Sequence, residues 1–222
     1  MRVVYGYLFS YLYIIGILVV ITIIKKISKS QHNDVYRKTV HILIPFTWIP
    51  LYGFLFGTWH FVIIPLSFVL ITALSVKFGF IRIVERDIPI GKDLGIVHYS
   101  ISMTILCIIA KTLPVYLIPC GIGIFALSFG DGAAAVFGQA VRKNNLYITK
   151  TKTLIGSIAC FSFTIAGVLI LRMLYPFNIE ITTLLVIGII ATLMEIIGGR
   201  YDNYTVPIGT AIAAMLVRIN EV

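Results

Sequence analysis

The chain has 222 residues, of which 59% are hydrophobic and only 12% charged, with a formal net charge of +9 and a mean hydropathy of +1.00. Soluble domains carry roughly one quarter charged residues, so this composition excludes an ordinary soluble domain and points to an integral membrane protein. Nucleic acid is excluded as a partner because the cations are spread over short loops between apolar runs instead of forming one basic surface.

Uncharged runs recur at lengths near the roughly 20 residues that a spanning helix needs, and strand-like alternation is not evident. The expected fold is therefore all-α, a polytopic transmembrane helix bundle of about eight spans, with seven to nine as the range. Taken in order, the spans are predicted at residues 3–24, 39–56, 59–76, 96–110, 113–129, 154–174, 181–197 and 206–217. The first is read as a retained helix: its apolar stretch is long for a leader and no small-residue cleavage site precedes Lys25. Cys107, Cys120 and Cys160 fall inside apolar runs without CxxC spacing and read as small buried hydrophobes. No repeat, low-complexity tract or linker divides residues 1–222, so one domain is expected.

The cations fall mostly in alternate loops. Lys25, Lys26, Lys29, Arg37 and Lys38 lie in the first; Lys77, Arg82, Arg86 and Lys92 in the third; Arg142, Lys143, Lys150 and Lys152 in the fifth; and Arg200 in the seventh, 14 of the 18 basic residues. Arg2, Lys111, Arg172 and Arg218 occupy the other side. Because Lys and Arg are retained in the cytoplasm, the odd loops are expected to face it. Most of these cations need only orient the chain and touch anionic head groups. That role does not explain the acids and other polar groups which gather in or beside the same odd loops.

Four stretches carry those groups. In "YRKTVHILIP" (36–45), Arg37 and His41 are four residues apart and Lys38 and His41 three apart, so on a helix they are neighbours. They suit a phosphate chain, or a snorkelling cap on the second span. In "LSFGDGAAAVFGQ" (127–139), Gly130, Ala134 and Gly138 make a smooth ridge beside Asp131 and Gly132. Asp131 is expected at the start of a helix, as a cap whose following amides suit an anion. A carboxylate and a phosphate repel each other there unless a divalent ion bridges them, and Mg²⁺ favours one or two carboxylates plus phosphate oxygens. In "YITKTKTLIGS" (147–157), Lys150 and Lys152 can neutralise phosphate, Thr149, Thr151 and Thr153 can donate to it, and Gly156 permits close backbone approach. No P-loop string is present. "MEIIGGRYDNYTVPIG" (194–209) offers Glu195, Asp202 and Asn203, either for a second metal or a proton or as turn and cap residues, with Pro207 opening the last span.

Other features are set aside. "GIGIFA" (121–126) has no βαβ context for a dinucleotide fingerprint. The sequon at Asn203 lies on the expected cytoplasmic side. His32, His60 and His98 lack ligand spacing and suit loops or helix interfaces.

"RKTVH", "GDGAAAVFG", "KTLIGS" and "DNYTVP", in that order, resemble the CTP-dependent lipid-alcohol kinases: dolichol kinase, phytol kinase and the CTP-dependent diacylglycerol kinase, distant relatives of the phosphatidate cytidylyltransferases. The resemblance covers about residues 36–208 and implies a polytopic enzyme that moves the γ-phosphate of CTP to a polyprenol, phytol-type or glycerolipid hydroxyl with Mg²⁺. It places nucleotide and metal binding on Asp131 with its glycines and on Lys152 and Gly156, with Arg37, Lys38, His41, Asp202 and Asn203 as further polar members. Residues and resemblance together give a nucleotide-binding set of Arg37, Lys38, Gly130, Gly132, Ala134, Gly138, Lys150, Lys152, Thr153, Gly156 and Asn203. Asp131 and Asp202 are the metal ligands; Asp131 and Lys152 act in transfer, and the base is His41, Asp131 or Glu195. Many members carry Glu before the glycine that matches Gly156, where this chain has Ile155.

The expected partners are a nucleoside triphosphate, a membrane lipid alcohol and the bilayer itself. The host would be the plasma membrane in a prokaryote or the endoplasmic reticulum in a eukaryote, with the site on the cytoplasmic face. Two rivals remain: a cytidylyltransferase that makes a CDP-lipid by attack at the α-phosphate, and a transporter, which would carry ionisable groups at mid-membrane with broken helices and repeats.

Overall fold

The structure is a computed structural model that describes residues 1–28, 33–81, 94–140, 146–217 and 219. Lys29, His32, Arg82, Arg86, Lys92, Arg142, Lys143 and Arg218 lie outside the described residues. Among those described the chain is all-helical. Six helices or helical runs are long and apolar enough to cross a membrane, which places the protein in a lipid bilayer. Two compact units are formed, Met1–Lys111 and Thr112–Val222.

The first unit begins with α1 (Arg2–Ser28), whose apolar length is closed by Lys25 and Lys26. Its tyrosines tie it to its neighbours through the few polar groups they offer. Tyr7 shares a hydrogen bond with His60 Nδ1 at 2.9 Å, Tyr11 with Ser67 at 2.6 Å, and Tyr13 donates to the Leu43 carbonyl at 2.9 Å. His60 thus has the helix-interface role expected for it. The following run changes its winding repeatedly: α2 (Asn33–Leu43), a 3-10 turn (Ile44–Thr47), α3 (Trp48–Pro50) and a π turn (Leu51–Leu55). Pro45 and Pro50 lack the N–H that a regular ladder requires, so the expected second span falls on broken helix. Next come α4 (His60–Phe78) and α5 (Gly95–Thr112).

In the second unit a 3-10 turn (Pro114–Tyr116) leads into α6 (Leu117–Phe125), a π turn (Ala126–Asp131) and α7 (Gly132–Ala140). Every residue of α6 and of this π turn is buried. Around the run pack α8 (Leu154–Leu174), α9 (Ile181–Gly198) and α10 (Asp202–Leu216). The last two form one apolar run, Ile181–Leu216, turned at Gly199–Tyr201, where Gly199 adopts φ +55°. A side chain there would be strained, so glycine makes the reversal possible. The expected seventh and eighth spans fall on this run.

Two local expectations are corrected. Asp131 does not cap a helix: it ends the π turn inside the uninterrupted run, where α7 follows directly with Gly132. The amides behind it are therefore engaged in helix and are not free to receive an anion, because nothing in "GDGAAA" stops the winding. Nor does Pro207 open the last helix. It lies inside α10, which starts at Asp202, past the four unpaired N–H groups of the first turn, so the ladder gives up one hydrogen bond there.

Candidate functional site

The site is built at the end of the second unit where α7 finishes, α8 and α10 begin and α9 ends. Two short links make this one place: residues 141–153 between α7 and α8, and Gly199–Tyr201 between α9 and α10.

Packing of α7 on α8 comes first. The ridge of Gly130, Ala134 and Gly138 lies against α8. A Cβ on Gly130 would overlap Thr164 Oγ1 and stand 3.3 Å from Cys160 Sγ, one on Gly138 would come to 2.9 Å from Thr153 Oγ1, and one on Gly156 to 3.0 Å from the Ala134 carbonyl. Small residues on both sides let the backbones meet. Gly132 is buried behind the π turn.

Lys152 is set by its loop. Tyr147 and Thr153 form an antiparallel bridge, Leu154 N donates to the Leu146 carbonyl at 2.8 Å, and Lys152 N donates to Thr149 Oγ1 at 3.1 Å. Thr153 then caps α8, accepting from Gly156 N at 3.2 Å. A capping hydroxyl fixes where the helix starts, and with it the residue just before. The Thr149 and Thr153 hydroxyls thus serve the loop and the cap, a local use of hydroxyls that competes with ligand contact. Lys150 points away as an exposed residue.

Lys152 Nζ stands 2.7 Å from Glu195 Oε1 and 2.8 Å from Asp202 Oδ2, with side-chain exposures of 11%, 4% and 18% for lysine, glutamate and aspartate. Burial works against the ammonium, but the carboxylates of Asp202, Asp131 and Glu195 outweigh it and hold Lys152 protonated, above the ordinary lysine range. Asp131 is 3% exposed. Asp202 Oδ1 accepts from Asn203 N at 2.9 Å, which fixes the second oxygen and leaves Asn203 in a positioning place. Glu195 Oε2 is buried without a hydrogen-bond partner. Lys152 thus stands among three carboxylates, Glu195 and Asp202 in ion-pair contact and Asp131 within electrostatic reach, in a low-dielectric setting where charged groups depend on their partners.

Sequence reasoning placed Asp131, Lys152, Glu195 and Asp202 in candidate roles, and the second unit brings these four together. It missed Cys160, which is fully buried and electrostatically close to Asp131 and Glu195. The signal available was position: Cys160 follows Gly156 by one helical turn on α8. Arg37, Lys38 and His41 belong to the first unit and form a set of their own on α2, with Lys38 and His41 buried and Arg37 half-buried.

Among the described residues no group of three or more His, Cys, Asp and Glu is arranged to hold a metal ion by itself. The donors do fit a hard divalent ion that takes one or two carboxylates and completes its shell with phosphate oxygens and water, because a buried carboxylate oxygen of Glu195 stands unbonded beside the acid pair. No protein-family model matches the chain, and neither a curated protein nor a solved structure matches it significantly.

Proposed function

We propose that the protein is a CTP-dependent lipid-alcohol kinase, which transfers the γ-phosphate of CTP to the hydroxyl of a polyprenol, phytol-type alcohol or diacylglycerol. The observation that carries this reading is the buried Lys152–Glu195–Asp202 group with Asp131 beside it, at one end of a unit made of membrane-length helices. Phosphoryl transfer chiefly requires charge neutralisation and in-line positioning. A fixed ammonium among acids supplies the first, and the close α7–α8 packing supplies a rigid frame for the second. Asp131 and Asp202 would hold Mg²⁺. Such an ion, when bound there, would supply charge neutralisation to the phosphates. Lys152 neutralises the same phosphates, Lys150 extends the positive field into solvent, and Glu195, whose second oxygen is unbonded, is placed to accept the proton of the lipid hydroxyl. The loops at this end carry Lys150, Lys152 and Arg200, which supports a cytoplasmic orientation and access to CTP. A transporter accounts less well for Lys152, Glu195 and Asp202, which gather at one end of the unit, with Asp131 alone lying deeper.

The test is purified protein with γ-labelled CTP or ATP and a panel of polyprenol, phytol and diacylglycerol. Mg²⁺-dependent transfer of label from CTP to lipid is expected, falling at least about 100-fold in Asp131→Asn. Label appearing in pyrophosphate, with a CDP-lipid as product, would assign the cytidylyltransferase reaction instead. Full activity in Asp131→Asn would remove the metal role.

A further inference from the structure

The link before α8 ends in a short hairpin whose outer side is apolar. Tyr147 and Thr153 form its antiparallel bridge. Ile148 N donates to the Lys152 carbonyl at 2.9 Å, and Leu154 N to that of Leu146 at 2.8 Å. These bonds engage the backbone and leave the side chains outside: Leu146, Tyr147 and Ile148 are 72%, 51% and 46% exposed. A contiguous exposed apolar patch with polar residues at its rim marks an interaction surface. The backbone bond sets Leu146 beside Leu154, which together with Ile158 is exposed on the first turns of α8. Exposed apolar side chains on a helix of membrane length face lipid, so the hairpin's apolar strand continues a surface that the bilayer already covers.

Charge points the same way. The acids described at this end are turned inward: Asp131 and Glu195 are buried, and Glu195 and Asp202 are in ion-pair contact with Lys152. Lys150 and Arg200 are exposed, so among the described residues the outer rim is cationic. We infer that the hairpin of residues 146–153 docks on the head-group layer of the bilayer, with Leu146, Tyr147 and Ile148 at the acyl boundary and Lys150 and Arg200 on the phosphates of anionic lipids. Apolar residues, a tyrosine and neighbouring cations are what an interfacial segment requires. A soluble protein would have to cover a strip that runs on into the hydrocarbon layer, where it cannot follow. The seat has a consequence for the loop itself, because Ile148 is bonded to the residue that carries the buried ammonium. The bilayer thus helps to hold Lys152 in place, and the docking claim stands without the reaction proposed for this unit.

The experiment uses the full chain in phosphatidylcholine nanodiscs, with a thiol-reactive fluorophore attached through Ile148→Cys. The native thiols are fully buried and stay unlabelled. Two quenchers report the label's position, iodide from the water and bromine carried on the lipid chains. Ile158→Cys supplies the lipid-facing reference and Thr151→Cys, exposed in the loop, the aqueous one. The label at residue 148 is expected to be quenched by bromine and shielded from iodide, as at residue 158. Leu146→Cys, labelled separately, should behave alike with Ile148 intact, and either variant carries the test if the other does not fold. With phosphatidylglycerol mixed into the bilayer and bromine placed on one lipid at a time, phosphatidylglycerol should be preferred beside residue 148. Lys150→Gln should lower that preference about 5-fold, the share of one cation near an anionic surface, at unchanged depth. Labels at residues 146 and 148 that iodide reaches as freely as residue 151 would overturn the inference, whether the loop is bare or serves a soluble partner. Equal quenching by the two brominated lipids would overturn it too.

Discussion

Lys152 is the residue on which the second unit's polar cluster depends. Its ammonium stands within ion-pair distance of both Glu195 and Asp202, so Lys152→Met would take from two largely buried carboxylates the cation they share. Removing one partner of a buried pair costs about 3–5 kcal/mol. The lower end is expected here because Asp202 keeps some solvent. Thermal unfolding in detergent should show that loss, and Lys152→Met with Glu195→Gln should recover part of it; an additive double variant would mean that the pair does not couple. The pH dependence has a definite sign. Since the folded value of Lys152 is raised, its stabilisation is complete below the unfolded value of about 10.5 and is lost only as pH climbs further. Lys152 should therefore stay charged at every pH where activity is measured, and a basic limb between pH 7 and 9 that vanished in Lys152→Arg would contradict this. Asp131 and Glu195 were legible in the sequence because a carboxylate within an apolar run must find a partner. Which cation it found was not, since the partner lies across two helices and is set by the Thr149 and Thr153 hydrogen bonds of a loop.

At the scale of elements, the α7–α8 crossing decides whether Lys152 reaches the acids. Gly138 and Gly156 face each other, with a Cβ on either standing 3.6 Å from the other's Cα. Gly156→Ala gains up to about 1 kcal/mol of helix propensity. The added carbon would, however, stand 2.9 Å from Thr153 Oγ1 and 3.0 Å from the Ala134 carbonyl. Backbone cannot step aside as a side chain can, and overpacking of this kind costs about 1–3 kcal/mol, so the net sign is destabilising. A lower melting temperature with weakened transfer is expected, and a more stable, fully active variant would show that the helices are not locked here. The small-residue ridge was legible from its four-residue spacing. The π turn at Ala126–Asp131 was not, because winding inside an apolar run depends on tertiary packing and leaves no residue-type mark. For the same reason the acid looked like a helix start when it is an interior residue. Such single wide turns often occur at functional sites, and this one ends on the carboxylate assigned to the metal.

For the whole molecule, apolar length was readable directly, whereas breaks were harder. Pro45 and Pro50 interrupt one expected span, whereas the reversal at Gly199 falls in the expected seventh loop, where Gly198, Gly199, Arg200 and Asp202 announce it. Orientation is the feature on which the functional reading turns, because CTP is available only from the cytoplasm. α8 has 21 residues, about 31 Å at 1.5 Å per residue, which matches a hydrocarbon core of roughly 30 Å. Lys150, just before it, and Met173, in its last turn, therefore stand at opposite membrane faces. Both are exposed, and the native thiols Cys107, Cys120 and Cys160 are fully buried, so single cysteines at these positions can be labelled against a silent background. Met173→Cys should react with an impermeant maleimide added to intact cells, and Lys150→Cys only in inverted vesicles. The reverse pattern would put Lys152, Glu195 and Asp202 on the side without nucleotide and would end the kinase proposal.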